Sequence, residues 1–147
     1  MYFEDLSHYS YGLPRPLEDV INIGWLDVSH DFPTGLVPNA LNHRLRFWLG
    51  RATVNRIRGY HECNICGLLE RQRVQVNGQT FLLGAAEIWI PTESGRVFAA
   101  PDLLLHYIEG HAYKPPDEFI AAALDHSFDQ DWNAERIFEK RVMAAFG

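Results

Sequence analysis

Two pairs of side chains in this sequence have the residue types and the spacing of metal ligands. The two cysteines, Cys63 and Cys66, stand as C-x2-C, and His106 and His111 stand as H-x4-H. A C-x2-C pair combined with such a histidine pair is the usual ligand set of a tetrahedral zinc site. Two thiolates and two imidazoles fill the shell and leave no open position for a catalytic water. The sequence therefore predicts that these four residues hold one structural Zn²⁺.

A third histidine lies close to the first cysteine in sequence, so the identity of the fourth ligand has two candidates. His61 stands two residues before Cys63, so it could replace His111 in the shell or donate a hydrogen bond to a ligand. The contiguous run His61-Glu62-Cys63 does not match the zinc deaminase signature, in which H-x-E is well separated from P-C-x-x-C.

Three other roles for the cysteines stay open. A redox C-x-x-C pair needs a strand before it and a helix that begins at the first cysteine, whereas residues 60–62 do not form a clear strand pattern and a hairpin follows. Two reduced cysteines can also pack as small apolar residues beside unrelated histidines. A disulfide is geometrically possible, although nothing in the sequence indicates an oxidising compartment.

The chain between the two ligand pairs predicts β-structure. Asn77-Gly78 is the favoured type I′ turn, and it lies between the alternating segments 73–76 and 80–83. Residues 87–90 and 96–98 predict two more strands.

A helix is expected to carry the histidines. Ala100-Pro101-Asp102 predicts its start, because proline and acidic residues favour the first turn. Gly110 predicts its end, with His111 just beyond. Residues 58–67, which contain both cysteines, are called the knuckle below. The order of knuckle, hairpins and helix over residues 58–111 is that of a treble-clef-like zinc knuckle with a long insert between the knuckle and the helix.

The length of 147 residues predicts a single domain over residues 1–147 with a core of its own. Residues 1–19 are rich in aromatic residues and predict an irregular arm, and residues 20–26 predict a strand. Further helices are expected to begin at Pro38-Asn39, at Pro116 and at Asn133. In the first of these, Leu41, Leu45 and Trp48, with Phe47, recur at helical spacing and predict a buried stripe. The predicted fold class is α+β, with a small antiparallel sheet, the zinc knuckle and about four helices.

The charge of the chain bears on its partners. The formal net charge is −6, which argues against general nucleic-acid binding, since such binding depends on Lys and Arg contacts with phosphates. One locally basic stretch runs from Arg44 to Arg58, with Arg46, Arg51 and Arg56 between them. We interpret it as a solvated helix face with salt bridges, and nucleic-acid binding is the alternative. The acidic start of the chain has no signal-peptide pattern, no segment is apolar enough to span a membrane, and a cytoplasmic location is expected.

Several segments resemble an uncharacterised family of small bacterial proteins. The motifs are R-G-x-H-x-C-x-x-C at 58–66, L-G-x-A-E-I at 83–88, A-A-P-x-L at 99–103 and H-x-Y-x-P-P-x-E-F at 111–119. The match covers most of residues 20–124. The resemblance implies a shared C-x2-C and histidine constellation and brings no established activity with it.

Two functional hypotheses follow. The first is a non-enzymatic zinc protein that acts through protein–protein contacts, such as an immunity protein or antitoxin that neutralises a basic toxin. The second is a metal-dependent enzyme of unknown substrate that uses Asp27, His30 and His61 with Glu87 near the metal. Asp27, His30 and Asp31 are also ordinary turn residues, so their functional role stays open.

Overall fold

The computed structural model describes residues 1–67 and 70–147. Four helices and seven strands lie within these residues, so the predicted α+β class is confirmed. In chain order the elements are β1 (His8–Tyr9), β2 (Leu17–Asn22), α1 (Asn39–Arg51), β3 (Thr53–Val54), β4 (Arg73–Val76), β5 (Gln79–Leu82), β6 (Glu87–Pro91), β7 (Val97–Pro101), α2 (Leu104–His111), α3 (Asp117–Leu124) and α4 (Ala134–Phe146).

The larger sheet is mixed, where the sequence analysis expected antiparallel pairing. Its strand order is β1-β2-β7-β6-β3. β2 and β7 are parallel, with Val20 opposite Val97, and the other neighbours in this sheet are antiparallel. Between β2 and β7 the chain forms α1, the knuckle and the hairpin β4–β5, and a parallel pair requires a long connection of this kind.

The N-terminal arm is more regular than predicted. β1 and the beginning of β2 lie within residues 1–19, and β2 ends at Asn22 although the predicted strand continued to residue 26. The side chain of Asn22 is buried and donates to the Ser7 hydroxyl and the His8 carbonyl. The first residues therefore pair with the sheet instead of only covering it.

The predicted hairpin is confirmed, and the predicted start of the next helix is wrong. Asn77 and Gly78 have φ values of 49° and 80°, as the type I′ turn between β4 and β5 requires. The segment expected to open a helix is instead the end of β7, because Pro101 pairs with Glu87 of β6. Pro101 is tolerated there since β2 pairs with β7 only as far as Ala99.

The core forms where the helices cover β6. All five residues of β6 are buried, and α1, α3 and α4 contact this strand. The helical stripe predicted for α1 is confirmed, because Leu41, Leu45 and Trp48 are buried. This packing fixes β6 and β7, and β7 leads directly to the helix that carries the two histidines.

Candidate metal centre

A tight turn presents the two cysteines. Residues 64–66 form the turn, and Gly67 follows in the left-handed region at φ 69°, which glycine adopts without strain. Cys63 is 1 % exposed and Cys66 is half-buried. Both cysteines are free thiols, so they do not form a disulfide in this structure.

The knuckle is fastened to the sheet and to the start of α2 through Gly84. The backbone N–H of His61 donates to the Gly84 carbonyl (2.8 Å), and the Gly84 N–H donates to Asp102 Oδ1 (2.7 Å). A Cβ on Gly84 would meet the His61 carbonyl oxygen. Because Asp102 lies just before α2, this chain of hydrogen bonds positions the cysteine turn against the helix.

Helix α2 carries both histidines and ends at His111, one residue later than predicted. Ala112, and not Gly110, takes the left-handed position at φ 55°, and its N–H donates to the Tyr107 carbonyl. Gly110 has a different role, because a Cβ there would lie 2.9 Å from Cε1 of the His106 ring. The absent side chain lets this ring lie along the helix, one turn before Gly110.

The four predicted ligands come together. His111 Nε2 lies 3.4 Å from Cys63 Sγ and 3.2 Å from Cys66 Sγ. His106 Nε2 lies 3.1 Å from Cys66 Sγ and 3.2 Å from His111 Nε2. All four ligand atoms lie within 4.8 Å of one another. This group could hold a metal ion.

These four separations are compatible with a tetrahedral metal shell, for which zinc gives the reference distances. With Zn–S near about 2.3 Å and Zn–N near about 2.0–2.1 Å, tetrahedral geometry places S and N about 3.6 Å apart and two N atoms about 3.3 Å apart. The observed S–N and N–N distances lie within about 0.5 Å of these values. The donor set of two thiols and two imidazoles is the one that zinc commonly takes.

The local environment favours neutral imidazole and opposes a free thiolate. Burial, followed by the neighbouring His111, lowers the pKa of His106 and keeps its ring available as a ligand. Burial, followed by the adjacent Cys63, raises the pKa of the Cys66 thiol. A bound divalent cation reverses the second effect, because its charge stabilises the coordinating thiolate.

His61 does not belong to the group. The structure places His111 with the cysteines, whereas His61 is exposed and its Nε2 lies 3.5 Å from the Tyr11 hydroxyl. Of the two candidates for the fourth ligand, His111 is therefore the one that the geometry supports.

The residues of the enzyme hypothesis are split between two places. The Asp27 carboxylate accepts hydrogen bonds from Ser29 and from Asn64 Nδ2, and these bonds, led by that of Ser29, hold its pKa well below the usual range. His30 stacks on Tyr2 with ring centroids 3.7 Å apart. These contacts fasten an exposed turn, where Asp31 is also exposed.

Glu87 and His61, by contrast, line a single cavity beside the knuckle. Burial raises the pKa of the Glu87 carboxyl group. Glu87 is not a member of the metal-ligand group.

The basic stretch is largely occupied by contacts within the protein. Arg44 is buried and pairs with Asp129 at 2.7 Å, Arg46 donates to Glu109 at 2.6 Å, and Arg51 donates to the Asp129 carbonyl. Arg56 and Arg58 are exposed. The predicted salt bridges are confirmed. The prediction that this face is solvated is wrong for Arg44, because its guanidinium group is buried and donates to the carbonyls of Ala123 and Asp125 at the end of α3.

Sequence reasoning missed Asp102, which it assigned only to the first turn of a helix. Asp102 is 1 % exposed, and burial raises its pKa to about 6. A signal was available, since a lone acid stands between the apolar runs 97–101 and 103–105. Such a residue is either at a surface or buried with a specific partner, which here is the Gly84 N–H.

Comparison of the sequence with known protein families gives one match. The family model described as a domain of unknown function, DUF7919, matches residues 1–124. No curated protein and no solved structure matches the chain. Among the described residues, the structure has no helix that is both long and apolar enough to cross a membrane.

Proposed function

The chain belongs to the DUF7919 family, and we propose from its metal centre that it is a zinc-binding protein in which the ion is structural. The observation that carries this proposal is the convergence of two thiol and two imidazole groups, with all four ligand atoms within 4.8 Å of one another. Zinc is proposed because a tetrahedral set of two sulfur and two nitrogen donors suits it. The ligands would be Cys63, Cys66, His106 and His111.

The ion would join two parts of the fold that are distant in the chain. Cys66 and His106 are 40 residues apart in sequence, so zinc would close a long loop that contains β4 to β7. Structural zinc contributes about 10–16 kcal/mol in small peptides, and a whole domain has a stability of about 5–15 kcal/mol. Loss of the ion is therefore expected to weaken the attachment of the knuckle to α2 and to lower the stability of the protein.

Metal analysis tests this proposal. We expect one zinc per chain in wild-type protein purified without added metal, and none in Cys63→Ser. His43→Asn is a matched control, because His43 is an exposed histidine outside the group. Absence of metal from well-folded wild-type protein would overturn the proposal. Cobalt substitution adds a second readout, in which a four-coordinate, sulfur-rich spectrum is expected and a five-coordinate one would indicate an open catalytic position.

We further propose that the protein acts by binding another protein, as an immunity protein or antitoxin does. The net charge of −6 favours a basic partner. The loop between β2 and α1 presents apolar side chains, with Val28 63 % and Leu36 96 % exposed. Asn64 Oδ1 accepts from the Val28 N–H, so the knuckle holds one end of this loop. A cytoplasmic location, where thiols stay reduced, suits the proposed thiolate ligands.

A pull-down from an extract of the source organism tests the interaction. Wild-type protein is expected to retain a basic protein at low salt and to release it as salt rises. Leu36→Asp should weaken retention, while Met143→Asp should not, since Met143 is 68 % exposed on α4. Absence of any retained protein, or equal loss in both variants, would contradict this role.

A further inference from the structure

A cavity of about 460 Å³ lies beside the knuckle and is not explained by the metal centre. Its lining residues come from the N-terminal arm, the knuckle, β6, the start of α2 and α4. Exposed residues such as His61 and Glu62 form its rim, and buried residues such as Tyr9 and Glu87 form its floor. The volume is within the range of about 300–1,000 Å³ that is typical of small-molecule sites.

The floor carries a buried carboxylate with fixed orientation. Glu87 is 6 % exposed. Its Oε1 accepts from Trp89 Nε1 at 2.9 Å, and its Oε2 accepts from the Tyr9 hydroxyl at 3.1 Å and Asn55 Nδ2 at 3.2 Å. A carboxylate can accept about four hydrogen bonds, so Glu87 retains the capacity for one more donor. Its position is set before any ligand arrives.

A second buried carboxylate adds negative charge to the same wall. Asp102 also lines the cavity, and its Oδ2 has no hydrogen-bond partner among the described residues. The charge of Asp102 contributes to the raised pKa of Glu87, after the larger effect of burial. A positive group near Glu87 would therefore interact favourably with both carboxylates, and more strongly than in water because the floor is desolvated.

The remaining walls suit a cation with an apolar body. Aromatic rings of Tyr9, Tyr11, Trp25, Tyr107 and Phe138 line the cavity. No lysine or arginine is among the described lining residues. Arg56, which is not a lining residue, lies near enough to lower the pKa of Asp102, so it offsets part of the charge of that carboxylate. Aromatic faces attract ammonium and guanidinium groups.

We propose that this cavity binds a small organic cation, with an ammonium or guanidinium group against Glu87 and its apolar part against the aromatic rings. The inference concerns a second site, and it stands independently of the proposed zinc site and of the proposed protein partner. The charge of Asp102 would strengthen binding without direct contact. The exposed Glu62 at the rim would attract the cation on entry.

Titration with three probes of similar shape tests the charge requirement. Benzylamine is a cation at pH 7.5, benzyl alcohol is neutral and benzoate is an anion. In calorimetric titrations of the wild-type protein, benzylamine is expected to bind at least tenfold more tightly than benzyl alcohol, and benzoate is expected not to bind. Equal binding of the amine and the alcohol, or tighter binding of benzoate, would overturn the proposal.

The tryptophan indole N–H signals show where the probe binds without any mutation. Trp25 lines the cavity, and Trp89 donates its indole N–H to Glu87. Trp48 is the internal control, because its indole donates to the Ala123 carbonyl and it does not line the cavity. Benzylamine should shift the Trp25 and Trp89 signals in a ¹⁵N-correlated NMR spectrum and leave Trp48 in place. Shifts confined to Trp48 would overturn the assignment of the site.

Variants then separate the contribution of the carboxylate from net charge. Glu87→Gln keeps the shape and removes the charge, so benzylamine affinity should fall at least tenfold. Asp131→Asn makes the same change in net charge at an exposed position outside the cavity, and it should bind as wild type. An equal effect of the two variants would contradict the proposal. If Glu87→Gln does not fold, Asp102→Asn takes its place, with a smaller loss expected.

Discussion

Replacing Gly110 by alanine should move the stability of the metal-free protein and the zinc affinity in opposite directions. Gly110 lies in α2, is exposed and has no positive φ. Alanine is favoured over glycine in a helix interior by up to about 1 kcal/mol, and a position next to the helix end should give a smaller gain. The metal-free variant should therefore be as stable as wild type or slightly more stable.

Zinc binding should weaken because the new methyl group meets the ring of His106, one of the four proposed ligands. The added Cβ would lie 2.9 Å from Cε1 and 3.2 Å from Nδ1 of His106, whereas ordinary contacts begin near 3.4 Å. The imidazole must then move by several tenths of an ångström from the position in which Nε2 faces the cysteines. We expect this displacement to lower metal affinity by as much as the loss of a hydrogen bond that orients a ligand, which is about 10–100-fold. This range corresponds to about 1.4–2.7 kcal/mol.

Two measurements check the prediction. Zinc affinity is measured by competition with a chromophoric chelator, and the stability of the metal-free protein is measured by urea unfolding in the presence of EDTA. Gly50→Ala is the matched control, because Gly50 lies near the end of α1 and a Cβ there meets nothing within 4 Å. If Gly110→Ala binds zinc as tightly as Gly50→Ala, then His106 is not a ligand held over Gly110, and the reasoning is refuted.

Three further outcomes are expected from groups around the site. The pKa of Asp102 is about 6 in the folded protein, compared with the ordinary value of 3.8 that the unfolded chain has. Between these pH values the folded state binds more protons than the unfolded state. The free energy of unfolding of the metal-free protein should therefore fall by about 3 kcal/mol as pH rises from about 4 to 7. In Asp102→Asn this part of the pH dependence should disappear in urea unfolding, and an unchanged profile would contradict the assignment. Gly84→Ala should lower the free energy of unfolding by about 2–4 kcal/mol, because Gly84 has φ +96° and its Cβ would meet the His61 carbonyl. Asp129→Asn should lower the free energy of unfolding by about 1.5–3 kcal/mol, because Arg44 is only 7 % exposed and would stay buried without its ionic partner. A loss below about 0.5 kcal/mol would contradict this, since it would show that the ion pair contributes little to stability.

Local sequence was sufficient where the structure depends on a few neighbouring residues. The hairpin turn at Asn77-Gly78 was predicted correctly because only residues that tolerate positive φ fit it. The C-x2-C pair was equally clear from the sequence, because cysteines three residues apart can reach one ion from the two ends of a tight turn, which the structure has at residues 64–66. The stripe of α1 followed from helical periodicity alone.

The choice of the fourth ligand depended on tertiary packing. Both His61 and His111 had suitable types and spacing, and no rule of local geometry separates them. His111 joins the cysteines because α2 packs beside the knuckle and ends at that residue, where Ala112 turns the chain. The start of α2 was misplaced for a related reason. Pairing with β6 keeps Pro101 in β7, and such long-range pairing overrides the preference of proline for a first helical turn.

The cavity beside the knuckle could not be predicted from neighbouring residues in the sequence. Its floor and walls combine Tyr9 from the arm, Glu87 from β6 and Phe138 from α4, which are far apart in the chain. Residue types and spacing therefore predicted the four residues that could hold a metal ion, the fold class and most elements. Only the packing of the arm, the sheet and α4 brought two buried carboxylates and a set of aromatic rings to one place, because burial is a property of the whole fold.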